Sequence, residues 1–104
     1  MEYQTRILLG ALQDARNCYE FIAGYSPETA VKWFKGVFDV IDSLKTMPKR
    51  CPLAPETDLI GEEIRYLVYR KHYRILYTIE GDLVRVHHIR HTAQEFMSAK
   101  AFLT

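Results

Sequence analysis

Residues 64–91 read IRYLVYRKHYRILYTIEGDLVRVHHIRH, and this stretch decides the fold. It divides into three runs, Ile64–Tyr69, Tyr73–Ile79 and Leu83–His91. Each is rich in Tyr, Ile, Val and Leu, whose flat or branched side chains suit a pleated, half-buried surface. Glu80-Gly81-Asp82 joins the last two as a short hairpin, and Arg70-Lys71-His72 joins the first two. Strand side chains alternate between faces. Tyr73, Ile75, Tyr77 and Ile79 therefore point one way, and Arg74, Leu76 and Thr78 the other. In the last run Val84, Val86, His88 and Arg90 share one side, while Leu83, Arg85, His87, Ile89 and His91 share the opposite one. Both sides carry apolar residues, so alternation leaves the buried side undecided. Either choice keeps a histidine and an arginine on the open side.

Upstream, residues 3–9 read as a strand that Gly10 closes. The period then changes. Leu12, Ala15, Tyr19 and Ile22, with Cys18 beside them, recur at helical spacing over residues 11–24. Ser26-Pro27-Glu28 supplies a cap, a preset first position and an acidic first turn for a second helix. Its apolar stripe is Ala30, Phe34, Val37, Ile41 and Leu44, widened by Trp33, Phe38 and Val40, and Pro48 stops it. Pro48, Pro52, Pro55 and Gly61 make residues 48–62 a loop. Thr92-Ala93-Gln94-Glu95 fits a capping box and predicts a short final helix over residues 93–102. Grouped rather than alternating elements indicate an α+β class. The expected architecture is an antiparallel sheet of about four strands, order β-α-α-β-β-β with a short C-terminal helix. A helical hairpin covers one face and leaves the other partly open. The 104 residues make one domain, 1–104, and are too few for two.

Charge is unevenly placed. Residues 64–91 hold six basic and two acidic residues, net +4, whereas the rest holds 8 basic and 11 acidic, net −3. All four histidines, His72, His87, His88 and His91, lie in the basic segment. Such a region steers phosphates or acidic proteins. Arg74, in mid-strand among large apolar neighbours, needs a partner or a role facing solvent. Arginines and histidines together suit phosphate recognition and proton transfer; they also suit a solvated face paired with carboxylates. His87, His88 and His91 form an HHxxH string, but strand positions four apart are separated by roughly 13 Å, too far to share one ion. No metal and no cofactor is expected. Cys18 and Cys51 form no CxxC pair and read as free thiols. With no apolar run long enough for a span and no signal-peptide pattern at Met1–Arg6, a cytoplasmic protein without membrane contact is expected.

Several strings, in order along nearly the whole chain, resemble the RelE/ParE toxin superfamily. Ala11-Leu12-Gln13-Asp14-Ala15 through Tyr19-Glu20-Phe21-Ile22-Ala23 is similar to the first helix of ParE-like members. Ser26-Pro27-Glu28-Thr29-Ala30 resembles the start of the second. Arg50-Cys51-Pro52-Leu53-Ala54-Pro55-Glu56 resembles the loop, Tyr73-Arg74-Ile75-Leu76-Tyr77 the "YRILY" strand, and Ile89-Arg90-His91 the end of the last strand. The resemblance implies the toxin of a type II toxin–antitoxin, plasmid-stabilisation pair. It also implies a cognate antitoxin as partner, in a dimer or a toxin–antitoxin hetero-oligomer, and inhibition of growth. A ParE-like member binds DNA gyrase and is not an enzyme. A RelE-like member is a ribosome-dependent endoribonuclease acting on mRNA, in which the ribose 2′-OH attacks the adjacent phosphate. A third reading is a member that only binds its antitoxin. On the ribonuclease reading the catalytic set is Arg74, His88, Arg90 and His91. Arg65, Arg70, Lys71, His72 and Arg85 are expected to contact an anionic partner or the antitoxin. The chain departs from the ribonuclease pattern at Gln94, where relatives carry an arginine, and at Phe96 and Met97, where some carry a catalytic tyrosine. Residues 51–62 lack the central lysines of those enzymes. These departures favour the gyrase-binding reading.

Overall fold

Apolar residues at helical spacing give two helices after a short first strand. Strand β1 spans Gln4–Ile7, helix α1 Leu9–Ala23 and helix α2 Pro27–Asp42. The computed structural model describes residues 2–94 and 96–103. Ser26 caps α2 as its chemistry dictates: its Oγ accepts the Thr29 N–H at 3.3 Å, and Pro27 takes the first helical position. Then follow α3 (Glu56–Ile60), β2 (Arg65–Tyr69), β3 (Tyr73–Glu80), β4 (Leu83–His91) and α4 (Ala99–Leu103). The α+β class and element order are those read from the sequence.

The sheet order is β1-β4-β3-β2. Strands β2, β3 and β4 are antiparallel neighbours, as expected. Strand β1 instead runs parallel to β4, with Gln4 opposite Leu83 and Ile7 opposite Val86, so the sheet is mixed. A parallel pair needs a long connection, and the helices after β1 supply one.

The helical hairpin packs on one face through Trp33, Val37 and Ile41 of α2 and Ala11 and Ala15 of α1, against Ile75, Tyr77, Val84, Val86 and Ile89. The buried line of α1 is therefore Ala11, Ala15, Cys18 and Ile22, not the line through Leu12, which is exposed. Small residues there let the helix lie close to β4. Gly10 lies inside α1 rather than closing β1. A methyl on it would sit 2.8 Å from the His88 ring and 3.1 Å from the His87 carbonyl. The opposite sheet face is not left open. A second core of Ala54, Ile64, Leu76, Met97 and Phe102 covers it. Residues 48–62 accordingly hold structure: a 3-10 turn at Pro48–Arg50, then α3. The Thr57 hydroxyl accepts the Ile64 N–H and donates to the Ile64 carbonyl, both at 3.0 Å, closing this segment on itself. The C-terminal helix begins at Ala99, not at residue 93. The proposed cap residues instead form a turn, in which His91 Nδ1 accepts the Ala93 N–H and Gln94 Oε1 accepts the His91 N–H. Glu95 of that capping box lies outside the described residues.

Simple alternation fails within β4. Leu76 pairs with His88 but Tyr77 with Val86, so His87 is an extra residue in a β-bulge. After the bulge the faces exchange. Val84, Val86 and Ile89 join the hairpin core, and both His87 and His88 turn to the opposite face, where their rings meet Phe102.

Gly36 shows how closely α2 approaches the sheet. A methyl there would collide with the Tyr69 hydroxyl, which donates to the Trp33 carbonyl at 3.0 Å. Gly36→Ala is expected to destabilise by about 1–3 kcal/mol through overpacking. A urea melt reads this, and an unchanged midpoint would show that Tyr69 moves aside freely.

Candidate functional site

Arg74 stands mid-strand in β3 and is 7% exposed. Its guanidinium forms a bidentate pair with Glu56 of α3, Nη1 to Oε1 at 2.9 Å and Nη2 to Oε2 at 2.8 Å. The rings of Tyr66 and Phe96 lie 5.9 and 5.4 Å from its central carbon. Glu56 is fully buried, and its Oε2 also accepts the Met97 N–H at 3.2 Å. Burial opposes its charge. The Arg74 hydrogen bonds, the Glu56 and Met97 backbone N–H groups and the Arg74 charge outweigh that and hold the carboxyl below its ordinary value. One ion pair thus ties together α3, β3 and the segment leading to α4.

His88 is committed at both ring nitrogens. Nδ1 lies 2.9 Å from Asp14 Oδ2 on α1, and Nε2 lies 3.1 Å from the Phe102 carbonyl. The same Asp14 oxygen accepts the Ile89 N–H at 2.9 Å. It serves the edge of β4 beyond the point where β1 ends. His87 stacks on Phe102 at 4.4 Å, with Nε2 2.9 Å from Thr78 Oγ1. Burial, with His88 and Arg85 nearby, lowers its pKa to about 4, so it is neutral at physiological pH.

The other predicted residues separate into two groups. Arg65 is held by the Cys51 carbonyl at 2.7 Å and lies 3.7 Å from Glu63; Arg85 lies 3.4 Å from Glu80. Arg90 faces Arg74 across the β3–β4 pairing. Arg70, Lys71 and His72 form the β2–β3 turn, and the His72 ring stacks on exposed His91 at 5.9 Å. The structure therefore brings Arg74, His87, His88 and Arg90 to one sheet face beneath the C-terminal segment, and His91 to the far end with His72. Sequence reading missed Glu56, Asp14 and Phe102, the partners of the basic residues. Pro55-Glu56, a helix-opening pair inside the loop, was the available signal for the first.

Among the described residues no three or more His, Cys, Asp or Glu side chains gather to hold a metal ion. Burial and Asp14 push the Cys18 thiol up, away from a reactive thiolate. No described helix is long and apolar enough to cross a membrane.

A family model described as the ParE toxin of type II toxin–antitoxin system, parDE, matches residues 6–96. In fold the chain is similar to a solved structure described as the chromosomal ParDE TA system from P. aeruginosa. The TM-score is 0.69 at 14% identity, over 86% of this chain and 96% of that one. No curated protein matches the sequence.

Proposed function

This chain belongs to the ParE toxin family of type II toxin–antitoxin systems, and from that premise we propose that it inhibits growth by binding DNA gyrase, not by cutting RNA. The observation that carries the choice is the engagement of its basic groups. A ribonuclease built on Arg74, His88, Arg90 and His91 needs cations and a proton carrier open to a phosphate. Arg74 instead spends both terminal nitrogens on Glu56, and His88 both ring nitrogens on Asp14 and Phe102. His91 stands apart from them, beside His72. This arrangement supports a binding protein whose contacts are the helical hairpin and the C-terminal segment. Leu12, Phe21, Tyr25 and Val31 are exposed on that hairpin and suit apolar contacts with a target or a cognate antitoxin. Arg65, Arg70, Lys71, His72 and Arg85 are the proposed contacts for anionic groups of either partner. Gyrase as target makes the cytoplasm the place of action.

Purified protein added to a supercoiling assay is expected to block gyrase, and induction in cells to stop growth while messages stay intact. Cleaved messages that vanish in Arg74→Ala, with gyrase unaffected, would establish the ribonuclease reading instead. No effect in either assay would leave a member that only binds its antitoxin.

A further inference from the structure

The ring of His88 lies between two acceptors. Nδ1 is 2.9 Å from Asp14 Oδ2 of α1, and Nε2 is 3.1 Å from the Phe102 carbonyl of α4. A carbonyl oxygen has no hydrogen to donate. The Asp14 oxygen already accepts the Ile89 N–H at 2.9 Å, as an ionised carboxylate does. A neutral imidazole has one N–H and can serve one of these acceptors, whereas an imidazolium serves both. The ring has little room to turn away from either. It is 8% exposed, a methyl on Gly10 would sit 2.8 Å from it, and the Phe102 ring lies 5.8 Å away on the other side.

Each element packed around the ring brings charge. Helix α1 brings Asp14, which touches it. Strand β4 itself brings His87 and Arg90, β3 brings Arg74 bound to Glu56, and α4 brings exposed Lys100. Most of these oppose a second cation, so the contact with the Asp14 carboxylate is what makes a charged ring tolerable here. His87, one residue away, is kept neutral by burial first and then by His88 and Arg85. Its ring stacks on Phe102, and its Nε2 meets Thr78. Both histidines therefore bear on the same residue of α4.

We propose that His88 is held as an imidazolium and that its second ring proton latches α4 to the sheet, so that docking of the C-terminal helix responds to pH. Nδ1–H binds Asp14 and Nε2–H binds the Phe102 carbonyl. When pH rises and the ring gives up a proton, one of the two bonds must go. The carboxylate is the stronger acceptor, so the bond to Phe102 is the one lost. Helix α4 is only five residues long, and without that bond it is held by the apolar contacts of Phe102 and by the link from Met97 to Glu56. On the acid side the other histidine acts. As pH falls toward about 4, His87 takes up a proton and places a second buried cation beside the first. Docking of α4 is thus strongest between the two limbs and weakens beyond either. The inference concerns the C-terminal helix itself and stands whether or not gyrase is the target.

Ring-nitrogen NMR on the full chain reads the latch directly. Near neutral pH both His88 nitrogens are expected to carry hydrogen, and only one of the two on His87. A bare nitrogen on His88 while α4 is docked overturns the proposal. The Phe102 amide, which donates to the Ser98 carbonyl at 3.0 Å, reports on α4. Its protection, corrected for intrinsic exchange, is expected to fall about tenfold or more as His88 loses its second proton, the worth of one hydrogen bond to a charged group. Asp14→Asn keeps the shape and removes the charge. It also weakens the acceptor for Ile89, so the readout is the pH at which α4 loosens, not overall stability. That alkaline limb is expected to move down by about one pH unit or more, while the acid limb set by His87 stays. His88→Gln, which has no titrating proton, is expected to abolish the alkaline limb. Protection that is flat with pH, a limb that does not move in Asp14→Asn, or a limb that persists in His88→Gln each overturns the latch.

Discussion

Glu56→Ala is expected to remove about 3–5 kcal/mol of folding stability, because it strands a buried arginine. Domains of this kind have only about 5–15 kcal/mol in total, so the variant should melt at much lower urea. The Arg74 guanidinium would be left beneath Tyr66 and Phe96 with no carboxylate, and the Met97 N–H would lose its acceptor. The segment leading to α4 should loosen as well, seen as faster hydrogen exchange near Met97. Glu56→Leu combined with Arg74→Met should recover most of the loss, since an apolar pair of similar shape avoids burying charge. A loss below about 1 kcal/mol for Glu56→Ala would mean that the Arg74 guanidinium reaches water at little cost once its partner is gone. Acid should act on the same pair. The Glu56 carboxyl has a lower pKa folded than unfolded, so its contribution is complete above its ordinary value of 4.5 and fades as pH falls through the lower folded value. His87 begins the decline earlier. Its pKa drops from 6.5 to about 4 on folding, so stability is lost progressively as pH falls from 6.5 toward 4, where only the unfolded chain takes up the proton.

Trp33→Ala is expected to cost about 3–5 kcal/mol, by leaving a cavity between α2 and the sheet. The indole is 2% exposed and meets Tyr73 and Tyr69 edge-on, with ring centres 5.1 and 5.9 Å away. Trp33→Phe should retain most of this stability. It keeps a ring among the tyrosines and removes a buried Nε1 that finds no acceptor among the described residues. Denaturant midpoints of the two variants separate the contributions: equal losses would mean that the indole's particular shape, rather than the filling of the space, holds the helix on the sheet.

What could be read from the chain alone was local. The Ser26-Pro27 start of α2, the three strands of residues 64–91 and the Glu80-Gly81-Asp82 link all follow from neighbours in sequence. The bulge at His87 does not, because an extra residue in β4 is defined only against β3. It reversed the faces assigned to His88, Ile89 and His91. The burial of Ala11 in place of Leu12 depends on how near α1 lies to β4, which Gly10 permits and no helical period announces. Arg74 was rightly singled out as needing a partner or a solvent-facing role. Its partner, Glu56, sits in a proline-broken loop whose five-residue helix is too short to show a period. The basic segment was evident as a charge imbalance, but which of its cations are paired depends on carboxylates from distant parts of the chain.

The parallel pairing of β1 with β4 has a consequence for synthesis. Gln4 and Leu83 stand near opposite ends of the described chain, and Asp14 must find Ile89 and His88 before the edge of β4 is satisfied. Contacts this distant in sequence form late and slowly. As the chain emerges from the ribosome, α1 and α2 can pair early, but their apolar stripe has no sheet to cover until β3 and β4 follow. The nascent chain therefore carries an exposed hydrophobic surface through most of translation and closes only when its last strand is free. A protein built this way becomes competent in one late step, and any partner that recognises the α1–α2 surface can capture it before that step is complete.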